Sequence, residues 1–157
     1  MKTLLFIGAL FGTFPLHAEP SKVTIHLLDH TDKQKTQTRF WIDWSKTWRG
    51  IISSKEVAGE DAEKVIKQLR SSLKNTEALH FCGHDPIYGI EATGSDGKVL
   101  KTSLCFTCLT WVKPGSRLEI SGEKGPDNKL CKLLREFIEL PKELLTKEDP
   151  KAIPADG

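Results

Sequence analysis

Apolar residues recur along this chain with two different periods. Between Gly59 and Leu73 the period is helical, with Ala62, Val65, Ile66, Leu69 and Leu73 on one stripe. Glu60, Asp61 and Glu63 fill the first turn and Lys67, Arg70 and Lys74 come later, which suits the helix dipole. Elsewhere short runs alternate or are rich in β-branched residues, and they predict strands at Val23 to Leu28, Arg39 to Trp44, Trp48 to Val57, Ala78 to Cys82, Ile87 to Thr93, Val99 to Val112 and Arg117 to Ser121. In the second of these, Phe40, Ile42 and Trp44 should share one face, with Trp41 and Asp43 on the other. The Asp-Gly step in Gly94-Ser-Asp-Gly97 suits a tight hairpin turn. Asp127 can cap a last helix carrying Leu130, Leu133, Leu134, Phe137 and Ile138, which Pro141 ends. The order β-β-β-α-β-β-β-β-α predicts an α+β fold, a single domain with a mostly antiparallel sheet and two helices packed on one face.

The ends of the chain change the picture of where that domain works. Lys2, the apolar run from Leu4 to Phe14 and the small residue Ala18 predict a signal peptide over residues 1–18, hence an exported protein, periplasmic or extracellular. Residues 19–141 then form the domain, and the charged stretch 142–157, with Pro150 and Pro154, is expected to be a disordered tail. No other stretch has the roughly 20 apolar residues of a membrane-spanning helix, so no transmembrane segment is expected in the mature chain. The 23 Lys and Arg stand against 21 Asp and Glu, interspersed, which argues against a nucleic-acid surface.

Candidate chemistry gathers between Phe81 and Trp111. Cys82, His84, Cys105 and Cys108 lie here, and Cys131 follows in the last helix. In an exported chain, cysteines first suggest disulfides, and all four are candidates. A turn centred on Ser95 and Asp96 sets Cys82 roughly opposite Leu109, so bonds from Cys82 to Cys108 or Cys105 are both feasible, and either would contribute about 3 kcal/mol. A bond from Cys131 to a hairpin cysteine would pin the last helix to the sheet; otherwise Cys131 is a small buried hydrophobe. The same Cys82, His84, Cys105 and Cys108 form a tetrahedral ligand set for zinc or copper, but in an extended strand Cys105 and Cys108 point to opposite faces, and joining them on one ion requires a turn at Phe106-Thr107. A redox pair at Cys105 and Cys108 would need a following helix N-terminus, whereas Leu109 to Val112 reads as strand. Asp29-His30-Thr31-Asp32 reads as a turn, with a cation site as the alternative. Trp41, Trp44 and Trp48 form either a wall of the core or an aromatic platform for a ligand.

The spacing Cys82-Gly-His-Asp-Pro86-Ile-Tyr-Gly-Ile90, then Asp-Gly, then Leu104-Cys105-Phe-Thr-Cys108 resembles a family of uncharacterised bacterial exported proteins with Cys-x3-Pro-x3-Ile, Asp-Gly and Ile-Cys-Phe-x-Cys. The chain departs from it at Tyr88 and Gly89, near which that family carries basic residues. The resemblance implies a shared fold and cysteine cluster and no activity. No nucleophile elbow, zinc-protease helix or phosphate loop is present, and no catalytic residue or cofactor is assigned. The expected function is a non-enzymatic binding domain for another protein or a surface ligand, stabilised by a disulfide in the 82–108 hairpin. The alternatives are a metal-binding protein using Cys82, His84, Cys105 and Cys108, and a thiol-disulfide oxidoreductase at Cys105 and Cys108.

Overall fold

A computed structural model of the chain describes residues 21–31, 36–78 and 83–145. The expected signal peptide, Asp32, Cys82 and the tail beyond Leu145 lie outside them. Three strands come first among the described residues, β1 (Lys22–Leu28), β2 (Arg39–Ile42) and β3 (Thr47–Ala58), followed by the helix α1 (Gly59–Ser72). Then come β4 (Leu73–Glu77), β5 (Tyr88–Thr93), β6 (Val99–Cys105), β7 (Thr110–Lys113), β8 (Ser116–Ile120) and the short helix α2 (Lys129–Arg135). The eight strands make one sheet in the order β2-β3-β1-β5-β6-β7-β8-β4, and every neighbouring pair is antiparallel. The fold is α+β, a single sheet with the helices packed on it. Among the described residues no helix is long and apolar enough to cross a membrane.

The period-two pattern decides what each face of the sheet carries. On the first face, Val23, Ile25 and Leu27 of β1 join Tyr88, Ile90 and Ala92 of β5, Leu104 of β6 and Trp111 of β7. The helical stripe Ala62, Val65, Ile66 and Leu69 packs onto them, and Leu130, Leu133 and Leu134 of α2 complete this main core. Tyr88 anchors the segment after α2, since its hydroxyl donates to the carbonyl of Ile138 at 2.8 Å. The second face carries His26, Gly89, Lys101, Ser103 and Thr110, and the β2–β3 hairpin lies across it. Phe40 packs so closely on Gly89 that a Cβ there would sit 2.8 Å from its ring. Phe40, Ile42 and Leu28 form a small separate core. At the far end Asp43 accepts from the Gly115 amide at 3.1 Å, tying the hairpin to the β7–β8 turn. The sheet is thus curled, and its second face is half enclosed by its own edge.

Several local expectations are corrected. Val99 to Val112 is two strands, because Phe106–Leu109 turns between β6 and β7. No glycine assists this turn; Leu109 itself adopts a left-handed φ of 53°, held by a bond from the Ile120 amide to its carbonyl at 2.7 Å. The β5–β6 register pairs Tyr88 with Leu104, one residue from the expected pairing, because the loop after Thr93 runs to Lys98 before pairing resumes at Val99. A further strand, not expected from the alternation, follows α1 directly at Leu73–Glu77; of the expected strand from Ala78 to Cys82, residues 79–82 lie outside the described residues. The last helix is capped by Asn128, which accepts from the Leu130 amide, rather than by Asp127, which ends a 3-10 turn. Lys142–Leu144, assigned to the tail, forms a 3-10 turn.

Candidate functional site

The second face holds a buried polar cluster. His84 comes from the segment leading into β5, Ser103 from β6 and Thr110 from β7. Ser103 and Cys105 are two apart on β6, and Thr110 pairs with Cys105, so strand alternation brings all three to one patch. The His84 ring bridges the two hydroxyls, Nδ1 to Thr110 Oγ1 at 2.8 Å and Nε2 to Ser103 Oγ at 2.8 Å. A neutral imidazole has one donor and one acceptor nitrogen, and rotating hydroxyls match either tautomer. Burial pushes the His84 pKa down to about 4, and Arg117 and Arg49 act in the same direction. The ring is therefore neutral across the physiological range. Arg49 braces the segment from outside, donating to the His30 carbonyl at 3.3 Å and to Asp85 Oδ1 at 3.1 Å.

This arrangement bears on each candidate residue. With both ring nitrogens engaged by hydroxyls, His84 has no lone pair aimed at an ion. Cys105 and Cys131 are buried free thiols, and burial raises the pKa of each, Cys131 to about 11. As free thiols, Cys105 and Cys131 are bonded neither to each other nor to Cys108. A Cys105–Cys108 redox couple is thus not assembled, and Cys105 is in the apolar, protonated condition opposite to that of a reactive thiolate. Cys131 does not pin α2 to the sheet by a bond; it packs as a small hydrophobe. Among the described residues no three His, Cys, Asp or Glu side chains converge as metal ligands. Asp29, from the alternative cation site, accepts from both the amide and the hydroxyl of Thr31 through Oδ1, the bonding of an Asx turn.

Ser103 with His84 has the outline of a nucleophile and base, but its surroundings do not suit acyl transfer. Ser103 is 2 % exposed. The adjoining crevice, between Phe40 and Trp41 on one side and Val112 and Pro114 on the other, holds about 130 Å³, below the roughly 300 Å³ at which ligand pockets begin. A base whose pKa lies near 4 is also far from the optimum for proton transfer at neutral pH. The cluster is built to hold the β5 approach against β6 and β7.

The tryptophans divide. Phe40 and Ile42 turn inward, while Asp43 to Lys46 form a turn that carries Trp44 to solvent, off the expected face. Trp44 is 47 % exposed and Trp48 is 54 % exposed. Trp41 and Trp48 pair across the hairpin edge to face, with ring centroids 5.3 Å apart. The Arg117 guanidinium stacks on Trp44 at 4.8 Å. Sequence reasoning missed Ser103 and Thr110 as partners of His84; two hydroxyl residues within apolar strands were the available signal. No family model, curated protein or solved structure matches the chain, so the resemblance of the 82–108 segment rests on residue spacing alone.

Proposed function

We propose that this protein is an exported, non-enzymatic binding domain that recognises another protein through the β2–β3 hairpin. The observation that carries the reading is the solvent exposure of Trp44 and Trp48 on a hairpin whose inner residues are fully packed. Large rigid aromatics beside arginine are the residues that dominate binding energy at protein interfaces, and they lose little entropy on binding. The inner side chains Phe40 and Ile42 fix the platform, and the Asp43 link to Gly115 keeps its tip in place. In this reading Cys82 is the disulfide partner of Cys108, tying the His84 segment to the β6–β7 turn.

Photo-crosslinking in the producing cell, from a reactive residue placed at Ser45, tests the interaction. A discrete crosslinked protein is expected, lost in Trp44→Ala/Trp48→Ala and retained in Lys124→Ala; the absence of any product, or products indifferent to the tryptophans, overturns the reading. Intact mass with thiol labelling in denaturant tests the rest. Two labels before reduction and four after, on a chain lacking residues 1–18, are expected. Four labels before reduction would refute the disulfide, and an uncleaved chain would refute export.

A further inference from the structure

The first face of the sheet is not fully covered by its helices. Between α1 and the β5–β6 hairpin a cleft of about 330 Å³ opens to solvent, within the size range of small-molecule sites. Its floor is core material, with Ala92 and Trp111 buried and Leu69 and Ile66 packed in the helix wall, so the apolar surface that water reaches there belongs to Leu73, Leu100 and Val99. The Trp111 indole N–H is already committed, donating to the Lys74 carbonyl at 2.8 Å, so the ring offers the cleft only apolar surface. Val99 beside the opening is 71 % exposed, an apolar lip at the start of β6.

The mouth has a different character. Arg70 of α1 and Lys98 of the β5–β6 loop both line it. They share one carboxylate, Asp96, at 3.9 Å and 3.2 Å. Asp96 is itself held in its loop, accepting from the Lys98 amide through Oδ1. Two cations against one fixed anion leave a net positive rim on an apolar slot. That combination selects an anionic head joined to an apolar tail: the tail removes Leu73, Leu100 and Val99 from water, and the head completes the charge balance of Arg70 and Lys98.

We propose that this cleft is a binding site for a medium-chain monocarboxylate, with the tail over Leu73, Leu100 and Val99 beside Trp111 and the head between Arg70 and Lys98. The site is separate from the tryptophan hairpin and does not depend on the reading given for it.

Calorimetric titration of the purified protein with decanoate, below its micellar concentration, tests the proposal, with decanol as the uncharged control. Saturable binding at one equivalent is expected, with decanol at least about tenfold weaker. Arg70→Ala/Lys98→Ala, both surface changes, should bring decanoate down to the decanol level and leave decanol unchanged. Trp111→Phe should bind decanoate but lose the shift in tryptophan emission that accompanies it. Trp44→Ala/Trp48→Ala should bind decanoate as the parent does, which keeps this outcome independent of the protein partner. The absence of saturable binding, equal affinity for decanol, or decanoate binding untouched by the double cation variant overturns the proposal; the last two would identify the cleft as a merely apolar surface.

Discussion

The two faces of the sheet solve the same burial problem by opposite means. On the first, Leu104, Ile90 and Tyr88 meet the apolar stripes of α1 and α2, and stability grows with area removed from water. On the second, one residue away along β6, Ser103 meets His84, whose ring also meets Thr110, and nothing is gained unless every donor finds its acceptor. The apolar face tolerates reshaping if volume is kept, whereas the polar face tolerates almost none. A small core of Phe40, Ile42 and Leu28 seats the hairpin on the second face, and the fit of the hydrogen-bond cluster fixes how the His84 segment lies.

The sharpest way to break this contrast uses neighbours on one strand. Leu104→Ala removes a fully buried side chain from the main core and should cost about 3 kcal/mol or more. Ser103→Ala deletes a single hydroxyl and leaves His84 Nε2 without its partner, at a cost of about 1 to 2 kcal/mol. Urea denaturation of both variants measures the difference. Equal losses would mean that the two faces do not differ in the way described.

Acid should separate the faces further. The unfolded chain protonates histidine near 6.5, but folded His84 resists protonation until about 4. The folded state therefore binds fewer protons in that window, and stability falls as the pH drops from about 6.5 towards about 4. The fall attributable to His84 is on the order of 3 kcal/mol. His26, whose pKa is also lowered chiefly by burial, adds a contribution of the same sign. His84→Gln keeps a donor and an acceptor in the cluster; it should lose about 1 to 2 kcal/mol at neutral pH and flatten most of the acid slope. An unchanged slope in this variant would place the acid sensitivity elsewhere.

How much of each face was legible in the sequence follows from the same contrast. The stripe of α1 predicted its own burial, because helical spacing and apolar character are local properties, and Ala62, Val65, Ile66 and Leu69 are all buried as expected. The β5–β6 hairpin was announced by Asp96-Gly97, where Gly97 takes the positive φ that the turn requires. The second face left no such trace. The turn at Phe106–Leu109 depends on bonds from Ile120 and Gly125 to its carbonyls, contacts made by residues distant in the chain. That turn moved Thr110 beside Cys105 and so created the patch that receives His84. A hydrogen-bonded triad drawn from three segments has no period, and the cysteine spacing drew attention to residues next to it.

The hairpin that covers the second face offers the finest test, because its turn carries local strain without burial. Lys46 is exposed and holds a left-handed φ of 53°, a conformation that side chains resist and glycine adopts freely. Its ammonium pairs with Asp43 Oδ1 at 3.0 Å, an exposed contact that water and salt screen. Lys46→Gly trades that pair and some unfolded-chain entropy for relief of the backbone, so the net change should lie within about 0.5 kcal/mol of zero. Asp43 would keep its bond from Gly115, and the hairpin should stay across the sheet. A loss above about 1 kcal/mol in urea denaturation would mean that the Lys46 pair with Asp43 helps to hold the hairpin down, and that this face relies on its rim as well as on the His84 cluster.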